Sequence, residues 1–130
     1  MGYTDEKDYI MRIIKEMVRV LFSVLLGKEY KAVELEKENK FTAAGKPLED
    51  YESMADRGMI NEAENELLTS LDYGNPEEVM TAAFFYEHVA DMDDRFLEDH
   101  NYSREEAVEG MAQLARDAGH GELVSFFMNV

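Results

Sequence analysis

YIMRIIKEMVRVLFSVLLG, residues 9–27, is the longest apolar stretch of the chain, and its only charges are Arg12, Lys15, Glu16 and Arg19. On a helix turning about 100° per residue these four fall on one narrow polar stripe. Ile10, Ile13, Ile14, Met17, Val18, Leu21 and Leu25 make an ordinary core stripe. Met11, Val20, Phe22, Val24 and Leu26 widen it past the arc that one neighbouring helix covers. A second partner for this helix is therefore expected. The reading places Ile10, Ile14, Met17 and Leu21 against the rest of the chain and offers Met11, Val18, Phe22 and Leu25 to another copy, forming a dimer.

The remainder is consistent with one domain of 130 residues, long enough to bury a core without staples. There is no cysteine, which removes disulfides, thiolate nucleophiles and Cys-ligated zinc together. A cytoplasmic location fits that composition. Val20 to Leu26 is flanked by Arg19 and lacks a small-residue cleavage site, so it does not read as an export signal, and it is too short to span a bilayer. Net charge is −16 and uneven: residues 1–46 hold nine Lys or Arg against eight acids, whereas residues 47–130 hold four Arg against 21 acids. A field that negative repels phosphate backbones and disfavours nucleic acid as a partner. It suits solubility or a basic or amphipathic protein segment.

Local signals divide the chain into residues 1–27, an apolar helix starting at Thr4 or Asp5 and stopping at Gly27; residues 28–46, a weak solvated helix or an arm up to Lys40 and then a linker, FTAAGK; and residues 47–130, a regular helical core. In that core Leu48, Tyr51, Met54 and Ala55 stripe a short helix from Pro47 to Gly58, and Ile60, Ala63, Leu67 and Leu71 stripe its antiparallel mate. Asn75-Pro76-Glu77-Glu78 supplies an N-cap, a first-turn proline and a capping-box glutamate for a helix running to about His100. Ser103-Arg104-Glu105-Glu106 is a second capping box, with Tyr102 before it, and Leu123 to Phe127 mark a short closing helix. No segment alternates with period two, so no sheet is expected.

The stretch Gly58 to Pro76, GMINEAENELLTSLDYGNP, resembles the second half of a tetratricopeptide repeat: a glycine turn, a small residue at Ala63, then Leu67 and Leu71 on the same face before a proline turn. Ala107, Met111 and Leu114 echo it 44 residues later, against a repeat period of about 34. The resemblance implies an all-α fold of stacked antiparallel hairpins of the kind that bind peptides. With DYIMRIIKEM at 8–17, GMINEAENELL at 58–68 and FLEDHNYSREEAVEG at 96–110, the chain is also similar to a family of small uncharacterised bacterial proteins. That resemblance implies no activity and no site residue.

Signatures of chemistry are sparse. Glu87, His88 and Asp91 are placed on one helix face, and Asp117 and His120 have an i, i+3 spacing. No Glu-x-x-His pair of a di-iron bundle occurs, and Asp91, Asp93 and Asp94 lack the glycine and terminal glutamate of a calcium loop. No serine sits in a Gly-x-Ser-x-Gly elbow, and no phosphate loop is present. Nothing calls for a metal or cofactor. The sequence therefore reads as a non-catalytic protein–protein interaction module. The alternatives are a peripheral membrane protein lying on Arg12, Lys15 and Arg19, and, third, an enzyme or metal-binding helical protein.

Overall fold

The computed structural model describes residues 2–27 and 41–128. The charged stretch 28–40, read above as a solvated helix or an arm, lies outside them. Among the described residues there are seven helices and one two-stranded sheet: α1 (Gly2–Leu26), β1 (Thr42–Ala43), β2 (Lys46–Pro47), α2 (Leu48–Asp56), α3 (Ile60–Thr69), α4 (Pro76–Ala90), α5 (Asp94–Asp99), α6 (Arg104–Asp117) and α7 (Gly121–Met128). The all-α class holds.

The centre of the molecule is α4, on which α1, α2, α6 and β1 all pack. Its sequence explains the position. Val79 to Tyr86 are all buried, together with Val89 and Ala90, and a helix that is apolar all round belongs in the middle. Its start is fixed by Asn75, whose side chain accepts from the backbone N–H groups of Glu77 (3.0 Å) and Glu78 (3.3 Å). The Glu78 carboxylate does not close a box on Asn75; it accepts from the Asp72 N–H instead.

The α2–α3 hairpin follows the predicted stripes, with Tyr51, Ala55, Ile60, Ala63 and Leu67 buried. Gly58 makes the turn at φ +89, and the His100 ring lies where a Cβ on that residue would have to go. Both the backbone angle and the lack of a side chain are required there. At the other hairpin Ser103 and Glu106 form the predicted capping box, and α6 buries Ala107, Met111, Ala112, Leu114 and Ala115. The closing helix α7 packs on α6 and α1 through Val124.

Three expectations are corrected. FTAAGK is a β-hairpin rather than a linker: Thr42 pairs with Pro47 and Ala43 with Lys46 across a turn in which Ala44 and Gly45 both have positive φ. That is the turn geometry that joins two strands through two residues, and strands this short show no period. Tyr51 secures it by donating to the Ala43 carbonyl at 2.8 Å. Second, the helix expected to run to His100 ends at Ala90. Arg104, only 8% exposed, fills the break; its Nε donates to the Ala90 carbonyl (2.7 Å), its Nη2 to the Met92 carbonyl (2.6 Å), and its Nη1 to the Asp94 carboxylate. Asp93 then caps α5 by accepting from the N–H groups of Arg95 and Phe96. The apolar rhythm crosses this break without a mark, because its cause lies in another helix.

The third correction concerns α1. Ile14, Met17 and Leu21 enter the core as expected, but so do Met11, Val18 and Phe22, which the sequence pattern offers to another copy. Leu25 is half-buried against the same core. The wide arc finds its second partner within the chain: Phe41, just before the hairpin, sits 6.4 Å from the Phe22 ring and 5.2 Å, edge-on, from Phe84.

Candidate functional site

Residues one place beyond a buried position emerge at the rim of a helix–helix contact, and on α2 and α4 those rim positions are acidic. On α2, Glu52 and Asp56 follow buried Tyr51 and Ala55; on α4, Glu87 and His88 lie between buried Tyr86 and Val89. Packing α2 on α4 sets His88 between two carboxylates. Its Nε2 is 2.7 Å from Asp56 Oδ1 and its Nδ1 is 3.7 Å from Glu52 Oε2. On the other flank Lys15 of α1 approaches Glu87, and Lys7 Nζ donates to the Asp91 carbonyl at 3.0 Å with the Asp91 carboxylate 3.8 Å away. The result is a polar band across α4, bounded by α1 and α2.

Two of its acids are poorly solvated. Burial raises the Glu52 pKa above the ordinary carboxylate value; His88 opposes the shift, while Asp56 and Glu49 reinforce it. Burial also raises Glu87, opposed by Lys15 and His88 and reinforced by Asp91 and Glu52. Each cause is physical: a carboxylate removed from water, with like charges nearby, holds its proton more tightly. Beside the band a groove of about 750 Å³ separates Lys7, Arg12 and Lys15 on α1 from Asp91, Asp93 and Asp94 at the α4–α5 junction. Such a surface can accept cations and hydrogen bonds. Among the described residues no group of three His, Cys, Asp or Glu side chains is placed to hold a metal ion.

The structure separates the sequence candidates. Glu87, His88 and Asp91 do lie together, joined by Glu52 and Asp56, which sequence reading missed although their i, i+4 spacing places them on one face. Asp117 and His120 are not joined: Asp117 accepts from Gln113, and His120 lies 3.4 Å from Glu122. His100 is structural, with its Nδ1 bonded to the Phe96 carbonyl at 2.8 Å and its ring against Gly58.

Fold and site together define an all-α protein with a central buried helix and an acidic, histidine-containing band on its surface. The chain belongs to a family of unknown function, DUF6483, whose model matches residues 4–119. No curated protein and no solved structure matches it. Among the described residues no helix is long and apolar enough to cross a membrane.

Proposed function

We propose that this protein is a non-catalytic, cytoplasmic interaction module whose α2–α4 band holds a basic or amphipathic segment of a partner protein. The observation that carries this reading is the pair of partly desolvated carboxylates, Glu52 and Glu87, with Glu49, Asp56 and Asp91 around them and, among the described residues, His88, Lys15 and Lys7 in opposition. A cationic side chain docking there would relieve that repulsion. The resemblance of the sequence from Gly58 to Pro76 to a tetratricopeptide repeat supports the same class of function. The test is fluorescence anisotropy of a labelled Lys/Leu amphipathic peptide. Affinity should drop by more than about tenfold between 50 and 300 mM salt, as screening of exposed charges requires. It should drop again in Glu52→Gln/Glu87→Gln. Binding indifferent to both salt and substitution would rule the reading out.

A second reading, self-association, is favoured by a different surface. Phe126 on α7 is 80% exposed, with Phe127 edge-on at 5.0 Å, and Val24 is 50% exposed on α1, the helix against which α7 packs. Exposed large apolar groups on packed neighbouring helices are a feature of interfaces. Light scattering should then report a dimer that Phe126→Ser dissociates; a monomer at all concentrations removes this reading. The membrane alternative has less to work with, because most of the apolar face of α1 is enclosed in the chain's own core.

A further inference from the structure

His88 stands where a partner's cation would have to go. Neither α2 nor α4 contains a lysine or an arginine, so the imidazole is the one group on these two helices that can carry positive charge. Packing fixes its place. α4 carries it one residue before buried Val89, and α2 brings Glu52 and Asp56, one turn apart, to the two ring nitrogens. The side chain keeps 31% exposure, enough to exchange a proton with water.

The two contacts are unequal, and the difference assigns the protons. Nε2 lies 2.7 Å from Asp56 Oδ1; a carboxylate only accepts, so Nε2 carries its proton whether or not the ring is charged. Nδ1, 3.7 Å from Glu52 Oε2, is the nitrogen whose proton comes and goes. With that proton the ring is an imidazolium between two carboxylates and cancels part of the charge of the band. Without it, Nδ1 turns a lone pair toward Glu52, and two acceptors lie side by side with no cation of α2 or α4 to serve them. An ammonium or guanidinium group supplies the donors such a pair lacks. The other charged groups around the ring are Glu49 on α2, Glu87 and Asp91 on α4, and Lys15 on α1, which approaches Glu87. Among the described residues no hydrogen bond or ion pair reaches the ring from α3, α6 or β1. An imidazole changes charge between about pH 5 and 8. Burial moves the titration of Glu52 and Glu87 upward, toward that range, so a variant at residue 88 is what separates their effect from that of the ring.

We infer that His88 is a built-in competitor for the α2–α4 band: its charged ring fills the cation position in acid, and its neutral ring yields that position to a basic segment of a partner as pH rises through neutrality. This rests on the band's being the docking surface. Fluorescence anisotropy of the labelled Lys/Leu amphipathic peptide with the full chain, at constant low salt from pH 5.5 to 8, tests it, since the lysines of the peptide stay charged throughout. Wild-type affinity should rise by about fivefold or more, the effect of one unit charge at about 4 Å in a wet setting. His88→Gln should bind more tightly than wild type at pH 5.5 and lose the rise, whereas His88→Lys, a cation across the series, should stay at the weak level up to pH 8. The reciprocal holds in the unaltered chain: saturating peptide should move the nuclear magnetic resonance titration of the His88 ring to lower pH by the same factor. A rise that survives in His88→Gln belongs to the carboxylates and overturns the inference, as does a ring titration that the peptide leaves in place. Salt-sensitive binding that ignores pH also overturns it while leaving the band as the docking surface; absence of binding at every pH overturns both.

Discussion

The two polar clusters flanking α4 face the same difficulty and meet it differently. At the α2–α4 band the acids are opposed by cations of the chain itself, His88 between Glu52 and Asp56 and Lys15 beside Glu87, and Glu52, Glu87 and His88 sit half-buried at the rim. On the α6 side the neighbour is a phenol: Tyr86, buried in α4, passes Gly110 of α6, where a Cβ would lie 2.4 Å from its ring, and donates to Glu64 Oε2 of α3 at 2.7 Å. A band balanced by half-buried ions can adjust its side chains, whereas a buried ring threaded past a missing Cβ leaves no room for one.

Two variants sharpen that contrast. The larger effect belongs to the α6 side. Gly110→Ala would gain helix propensity but drive a methyl into the Tyr86 ring, and overpacking of this kind typically costs about 1–3 kcal/mol, enough to outweigh the gain. Chemical denaturation should show a net loss. A net gain would mean that the Tyr86 ring moves aside freely.

The smaller effect belongs to the band. Glu52 and Glu87 hold their protons to higher pH in the folded chain than in the unfolded one, so their contribution to folding is best in acid and is lost as pH rises through the raised values. Glu52→Gln/Glu87→Gln should therefore stabilise the chain at pH 7 by less than about 1 kcal/mol, because the pair is only partly buried. Below pH about 4, where ordinary carboxyls are protonated as well, the advantage should vanish. Melting curves across that range decide it. A loss of stability at pH 7 would show that the His88 contacts outweigh the desolvation of the acids.

Features that depend on a few neighbouring residues were legible in the sequence. Asn75 and Ser103 announced their helices by capping chemistry, and the turn at Gly58 separated two stripes that do bury Ala55, Ile60 and Ala63. Features that depend on distant residues were not. The break after Ala90 is held by Arg104, which in sequence is only the second residue of a capping box. Phe22 read as surplus because Phe41, which covers it, lies beyond a charged stretch and was placed in a linker. Of the band, His88, Glu87 and Asp91 were visible as one helical face, whereas their approach to Glu52 and Asp56 needs the packing of α2 on α4. The Tyr86–Glu64 bond was the least legible. Its two residues lie on separate helices, and the one local sign, a glycine inside α6, identifies neither the ring that passes it nor where that ring goes.

The Arg104 clasp also bears on how the molecule opens. The carbonyls of Ala90 and Met92 and the carboxylate of Asp94 converge on a single guanidinium carried by the first turn of α6. The end of α4, the short α5 and the start of α6 therefore do not fray independently, since releasing any one of them strips partners from the others. These three pieces form one cooperative unit, and a six-residue helix too short to persist alone shares the lifetime of the buried helix before it.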